Sequence, residues 1–189
     1  MKKVTHYLIL GIVALGLFAF MNKSNPPEKE FNQSFSEVLL HAKQYTIEVA
    51  EAMPAEHYTF RPHDSIRSFG EQMAHIGMST SMILHKFIKG EEMKLDMAEG
   101  AKIEKSVGAS KEETIKLLHS SFDDAIASLK KMNQSELDKT FVFIFDPNKP
   151  EFTNEQGFLF IRDHVTHHRG QAVIYLRMKN IKPPSYRPF

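Results

Sequence analysis

Residues 153–180 read TNEQGFLFIRDHVTHHRGQAVIYLRMKN, and this pattern predicts one long amphipathic helix. Thr153 with Gln156 three residues later forms a capping box, which satisfies backbone donors that the first turn leaves unpaired. Asn180, followed by two prolines, predicts a left-handed end to the helix. The residues that recur at helical spacing are Phe160, His164, His168 and Tyr175, with Ile161, Ala172 and Leu176 beside them.

Two histidines of this helix share one face. At about 100° per residue, His164 and His168 lie about 40° apart, one turn from each other. Two imidazoles in this arrangement suit a divalent metal. His167 lies about 100° from His168, so it is a weaker ligand candidate.

The histidine pair also has a simpler interpretation. The spacing His-x-x-x-His arises often by chance, and a helical histidine can be a surface residue or a hydrogen-bonded core residue. On a core-facing stripe, however, two neighbouring imidazoles each need a polar partner. A bound metal meets that need directly.

Three further segments have the apolar period of a helix. We predict helices over residues 30–53, from Ser68 to Gly90, and from Ser110 through Leu129. Ser68 and Ser110 each precede a glutamate at the capping-box position. Four amphipathic helices predict an all-α four-helix bundle, and the long connections between them are compatible with crossovers. We interpret residues 90–105 as a loop and residues 139–145 as a short β-prone segment.

A third histidine would complete a metal site. His75 lies at the edge of the apolar face of the second helix, between Ala74 and Gly77. Its spacing favours it only modestly, and an interhelical hydrogen bond explains it equally well. The competing histidines are His41, His57, His63, His85 and His119.

Composition excludes several classes of function. The 189 residues are 42% hydrophobic, which suffices for one sizeable core. The formal net charge is +1 and no basic stripe with interleaved aromatic residues occurs, so we expect no nucleic-acid partner. The absence of cysteine excludes disulfides, thiolate metal sites and a cysteine nucleophile. The sequence does not fix the oligomeric state, and a homodimer is compatible with it.

The first 24 residues form a separate segment. Lys2 and Lys3 precede an apolar run over residues 7–21, and a polar, proline-containing break follows. This order predicts a signal peptide or an N-terminal membrane anchor over residues 1–24. We therefore expect export to the periplasm or exterior, or anchoring in the inner membrane, rather than a cytoplasmic location. If the leader is uncleaved, residues 4–21 provide the membrane contact.

Two metal-enzyme classes do not fit the sequence. Ferritin-like di-iron bundles use Glu-x-x-His pairs, and zincin proteases use His-Glu-x-x-His. Neither motif occurs in this chain. A non-catalytic bundle that carries a metal or an apolar ligand remains the main alternative to an enzyme.

The combination of motifs resembles the DinB-like (DinB/YfiT) superfamily of metal-binding four-helix bundles, which is distinct from the DNA polymerase that shares the DinB name. The matching stretches are YTFRPH at 58–63, RSFGEQMAHI at 67–76 and HVTHHRGQ at 164–171. The resemblance covers the domain that we place at residues 30–189.

The resemblance implies a specific ligand set and chemistry. It places the metal ligands at His75, His164 and His168, and it implies a metal-dependent hydrolase or a thiol-dependent transferase. Imidazole ligands suit zinc or nickel, with iron a further candidate. The partner is then a small-molecule substrate, and a low-molecular-weight thiol must arrive as a cosubstrate because the chain has no cysteine. Candidate partners for the ligands are Glu71, Asp163 and Gln171, although a solvated surface charge explains Asp163 equally well, and no general base is assigned.

Overall fold

The computed structural model describes residues 30–188, and the predicted leader lies outside them. Among the described residues, no helix combines the length and the apolar character that crossing a membrane requires. The helices are α1 Phe31–Ala52, α2 Phe69–Met82, α3 Met97–Gly108, α4 Lys111–Lys131, α5 Gln134–Leu137 and α6 Asn154–Met178. A 3₁₀ turn spans Ala55–His57, a π-helical turn spans Ile83–Ile88, and the strands are β1 Thr140–Val142 and β2 Glu151–Thr153.

Helices α1, α2, α4 and α6 form the four-helix bundle. Both α1 and α2 pack mainly against α4 and α6, so α1 and α2 lie diagonally opposite each other. Lys111 at the start of α4 donates to the carbonyl of Met53 beyond the end of α1, so these two helices are antiparallel. Gln72 near the start of α2 meets Gln171 near the end of α6, which makes this pair antiparallel as well. The bundle therefore contains crossovers, in agreement with the long connections in the sequence.

The predicted helix ends are largely confirmed. Thr153 and Ser68 each form a reciprocal capping box, with Gln156 and Glu71 respectively. Ser110 accepts from the backbone of Glu113, but the structure shows no return bond from that side chain, so only half of the third box forms. Asn180 ends the last helix with a φ of 57°, because asparagine tolerates the left-handed conformation.

Helix α3 corrects the prediction of a loop over residues 90–105. Asp96 caps it by accepting from the backbone N–H groups of Ala98 and Glu99. The segment is highly charged and contains Gly100, which lowers helix propensity, and among the residues of the helix only Gly108 is buried. It is held on α2 by backbone contact instead, since a Cβ added at Gly70 would lie 1.8 Å from the carbonyl oxygen of Gly108.

A short hairpin precedes α6. Strands β1 and β2 are antiparallel, with Phe141 opposite Phe152. The β-prone segment was predicted, but the return strand was not, because only three residues separate Pro150 from the start of α6. The hairpin packs near the π-helical turn, where Phe87 contacts Phe141 at 5.4 Å between ring centroids.

Candidate metal centre

Three histidines from two helices meet between α2 and α6. His75 comes from α2, and His164 and His168 come from successive turns of α6. One ring nitrogen from each lies within 4.8 Å of the others. The ring centroids are 5.1 Å apart for His75 and His164, and 4.5 Å apart for each of the other two pairs. The structure thus brings together the three residues that the sequence predicts as ligands.

His75 is oriented by a carboxylate from α3. Its Nδ1 lies 2.7 Å from Oε2 of Glu104, and the other carboxylate oxygen accepts from Nε of Arg67 at 2.6 Å. Because a carboxylate only accepts, Nδ1 of His75 carries the proton and Nε2 keeps its lone pair. The chain Arg67, Glu104, His75 therefore fixes the tautomer that a metal ligand needs.

His168 is oriented by an amide chain. Gln72 donates its Nε2 to Oε1 of Gln171 at 2.6 Å, and Gln171 donates in turn to Nε2 of His167 at 2.9 Å. This leaves Oε1 of Gln72 to accept from Nδ1 of His168 at 2.8 Å. The lone pair of His168 is therefore also on Nε2.

His164 is oriented by a hydroxyl on α2. Oγ of Ser79 lies 3.0 Å from Nδ1 of His164 and also contacts the main-chain carbonyls of His75 and Ile76. The hydroxyl has one proton, which it donates to a carbonyl, so its oxygen accepts from Nδ1 of His164. In all three histidines, Nδ1 is thus occupied by a different partner and Nε2 is free for a ligand.

Burial keeps two of these rings neutral. It lowers the pKa of His164 from 6.5 to about 4, and the nearby His75, His167 and Arg67 contribute further. Burial likewise lowers the pKa of His168 to about 3, with the same neighbours and His164 acting in the same direction. Both imidazoles are therefore unprotonated at neutral pH, which is the form that binds a metal.

Glu104 remains charged in spite of its burial. Removal from water by itself raises the pKa of this carboxyl group, but hydrogen bonds from His75 and Arg67, together with the charge of Arg67, outweigh it and leave the pKa lowered. A charged Glu104 is the stronger acceptor for Nδ1 of His75. The donor set then consists of three imidazoles whose outer nitrogens are held by other groups, and this chemistry fits one divalent transition metal.

The other candidate histidines lie elsewhere. His85 contacts Glu91 and Asp124 at 2.9 and 2.8 Å, and His63 contacts Ser65. The competing candidates take no part in the cluster, and neither does His167; they are His41, His57, His63, His85 and His119.

Of the three candidate ligand partners, Glu71 and Asp163 do not contact the cluster, and Asp163 is instead the solvated surface charge that the sequence offered as its alternative. Glu71 pairs with Arg61 at 2.6 Å and caps α2, and Asp163 is exposed beside Arg162. Gln171 does belong to the network, one hydrogen bond farther from the ligands than Gln72. The direct partners Gln72, Ser79 and Glu104 were missed. The first two could have been found from spacing, since they lie three residues before and four residues after His75 on the same helix face.

Arg169 has a packing role. Its side chain is 6% exposed and lies 4.6 Å from the ring centroid of Tyr45. It donates to Oγ1 of Thr46 and to the carbonyl of Ala42 at 3.2 and 3.3 Å. Arg169 thus joins α6 to α1 behind the cluster.

The sequence model that describes the DinB superfamily matches residues 39–172, which contain all three clustered histidines. The chain belongs to the DinB superfamily. No match was found among curated proteins.

Solved structures of DinB-like proteins share the fold of this DinB superfamily member. A DinB-like protein from Bacillus subtilis is 18% identical, with 82% of this chain and 96% of that chain covered and a TM-score of 0.59. A DinB-like protein from Bacillus cereus is 17% identical, with 83% and 95% covered and a TM-score of 0.61. YfiT from Bacillus subtilis is 16% identical, with 85% and 94% covered and a TM-score of 0.66, and it is described as a probable metal-dependent hydrolase with an unusual four-helix bundle topology.

Proposed function

We propose that this protein binds one divalent metal through His75, His164 and His168 and uses it to hydrolyse a small-molecule substrate. The supporting observation is the common state of the three rings. In each ring, Nδ1 donates to a partner outside the cluster, and Nε2 stays free. One ring nitrogen of each of the three residues lies within 4.8 Å of the others. Three protein ligands are typical of catalytic metal sites, which keep a coordination position for water or substrate.

The residues of this chain prepare the site for that role. Glu104, Ser79 and Gln72 hold the three imidazoles in one tautomer and one orientation. Neutral ligands leave the full positive charge on the ion. When bound, a divalent metal supplies Lewis-acid chemistry that polarises a substrate and lowers the pKa of bound water.

The metal that we propose is zinc or nickel, with iron as a further candidate. Three imidazoles suit all of these ions, and the donor set contains neither the thiolates that select copper(I) nor the carboxylates and carbonyls that suit magnesium. Glu104 does not alter this preference, because both of its oxygens are engaged by His75 and Arg67.

Hydrolysis is favoured over thiol transfer by the similarity to YfiT, whose description names a probable metal-dependent hydrolase. A thiol-dependent transferase requires a thiol cosubstrate, since the chain contains no cysteine. Among the described residues, no feature singles out a thiol-binding group. Thiol transfer is therefore the alternative that the test below distinguishes from hydrolysis.

The test combines metal analysis with a substrate panel on the purified full-length protein. We expect one zinc or nickel ion per chain in the wild type and its loss in His168→Ala. We also expect chelator-sensitive hydrolysis within a panel of ester, amide and phosphoester substrates. Absence of metal from the wild type, or undiminished binding in His168→Ala, contradicts the metal site. Metal binding with turnover only in the presence of an added thiol indicates a transferase, and metal binding without any turnover favours the non-catalytic binding protein.

We further propose that residues 1–24 direct the domain out of the cytoplasm as a cleaved signal or as an anchor. The support is the order of charged, apolar and polar residues in this segment. A fusion of residues 1–30 to a reporter that is active only outside the cytoplasm tests this. A reporter that stays wholly in the cytosol contradicts it.

A further inference from the structure

We propose that Phe160 and Phe143 form an apolar subsite beside the histidine cluster, which binds an aryl or branched alkyl group of the substrate. This inference rests on the proposed metal site and adds a substrate class to it. It concerns residues that the resemblance to the family does not assign. The occupant is a small molecule with a polar group that reaches the metal and an apolar group next to it.

Phe160 lies directly beside a candidate ligand. It precedes His164 by one turn of α6, and the two ring centroids are 5.8 Å apart. Its ring is not enclosed by the core, because Phe160 is 37% exposed. The sequence predicted Phe160 on the core-facing side of α6, and the structure corrects this by placing it at the edge of the histidine cluster. A molecule bound at His164 would therefore meet this ring.

Phe143 extends the same surface onto the hairpin. Its ring lies 5.2 Å from that of Phe160 in an edge-to-face arrangement, and it also contacts Phe145 at 5.7 Å and Phe152 at 6.0 Å. Phe145 is 43% exposed. Hydrophobic and aromatic side chains are the predominant lining of small-molecule sites.

The aromatic surface is held in place by the π-helical turn. Phe87 is 5% exposed and contacts Phe141, Phe143 and Phe145 at 5.4, 5.4 and 5.8 Å. Single π-helical turns inside helices frequently occur at functional sites. Because Phe87 is buried, it positions the hairpin rings before any ligand arrives. A preformed apolar surface loses little conformational entropy on binding.

Most of the polar groups that orient the cluster lie on its other side, and the exception is Ser79, which contacts His164. Gln72 and Glu104 engage the rings of His168 and His75, while Arg67 extends the chain beyond Glu104. Gln72 and Arg67 pair with Gln171 and Tyr175, toward the C-terminal end of α6. Phe160 lies toward its N-terminal end. A substrate at the metal would therefore meet the aromatic rings on the side of the cluster that faces the N-terminal end of α6.

The test uses hydroxamates as metal-directed probes and measures binding rather than turnover. Acetohydroxamate and benzohydroxamate carry the same chelating group and differ in the apolar part. With nickel-loaded full-length protein, we expect benzohydroxamate to bind about tenfold more tightly than acetohydroxamate, because its ring leaves water for the aromatic surface. In Phe160→Ala we expect this ratio to decrease to about two or three, while the affinity for acetohydroxamate stays close to that of the wild type.

Leu159→Ala provides the matched control. Leu159 is also exposed, at 41%, and it lies about 140° from His164 around the helix. Its replacement should leave the ratio unchanged. Phe160→Gln keeps most of the side-chain volume and removes the apolar ring, so it carries the same expectation if the alanine variant does not fold.

The outcomes separate this inference from the proposed function. If nickel or acetohydroxamate does not bind to the wild type, this result contradicts the proposed metal site and, with it, the proposed subsite. If acetohydroxamate binds and the ratio is the same in the wild type, Phe160→Ala and Phe160→Gln, the metal site stands and the apolar subsite is overturned. A ratio that decreases equally in Leu159→Ala also overturns it, since the effect is then not specific to the ring beside His164.

Discussion

Glu104 on α3 and His75 on α2 are joined by a hydrogen bond of 2.7 Å, and the same carboxylate binds Arg67 at 2.6 Å. Helix α3 otherwise buries little of its own side-chain surface. Helix α3 thus contributes one group to the candidate site, the carboxylate of Glu104, which contacts Nδ1 of the candidate ligand His75. Partners of this kind orient the ligand and raise its basicity.

Glu104→Gln should weaken metal binding by about tenfold or more, as is typical when the carboxylate partner of a ligating histidine is changed. The amide retains an acceptor for Nδ1 of His75, but it loses the charge that stabilises the bound state. Titration calorimetry with zinc or nickel on the purified variant measures the effect.

Glu99→Gln is the control on the same helix, since Glu99 is exposed and pairs only with Lys102 at 3.3 Å among the ion pairs of the described residues. Equal affinities in the wild type and Glu104→Gln would show that the carboxylate does not support a metal ligand.

His168→Ala should reduce metal affinity by at least about 100-fold, because two imidazoles compete poorly with water and chelators for such an ion. His167→Ala should change the affinity little. His167 is exposed and its Nε2 accepts from Gln171. Competition with a chromophoric chelator measures both variants. If His167→Ala lost metal binding and His168→Ala retained it, the face of α6 that we propose for the ligands would be wrong.

The bundle and the ligand cluster could be predicted because their signals are local. Thr153, Ser68 and the apolar period define where helices begin and which face is buried. The spacing of His164 and His168 then determines that the two rings adjoin. His75 needed the family resemblance, since periodicity alone did not separate it from a hydrogen-bonded core histidine.

The rest of the site depends on tertiary contacts that have no local signature. Glu104 lies in a segment that is polar on most sides, and its helix is positioned by the backbone contact of Gly70 with Gly108. Phe160 follows the apolar period of α6, yet the hairpin leaves it exposed beside His164. Neither placement follows from hydrophobic pattern.

The metal-free protein should become less stable as the pH decreases from about 6.5 toward 4. Burial lowers the pKa of His164 to about 4 and of His168 to about 3 in the folded state, whereas both titrate near 6.5 when unfolded. Between these values the unfolded chain binds more protons than the folded protein, so the free energy of unfolding decreases as the pH decreases. The stabilisation from the neutral rings is complete above 6.5 and is lost as the pH falls through the folded pKa values.

Urea unfolding of chelator-treated protein at pH 7 and pH 5 measures this dependence. The midpoint should be lower at pH 5, and the decrease should be smaller in His168→Gln, which removes one of the two titrating groups while keeping a polar side chain. A decrease of the same size in His168→Gln and the wild type would show that this ring does not carry the pH dependence.

Gly70→Ala should destabilise the protein by about 2–3 kcal/mol, which is typical of adding a methyl group where there is no room. The new Cβ would lie 1.8 Å from the carbonyl oxygen of Gly108, so the backbones of α2 and α3 must separate. Because α3 carries Glu104, metal affinity should decrease together with stability. Gly170→Ala is the matched control, because Gly170 is a helical glycine whose added Cβ would have no heavy atom within 4 Å apart from the neighbouring backbone of its own helix. That variant should gain about 0.5–1 kcal/mol of stability from the higher helix propensity of alanine and bind metal as the wild type does.

Thermal unfolding and metal titration of the Gly70→Ala and Gly170→Ala variants measure stability and metal affinity. A stable Gly70→Ala variant with unchanged metal affinity would contradict the close packing of α3 on α2 and, with it, the placement of Glu104 beside His75.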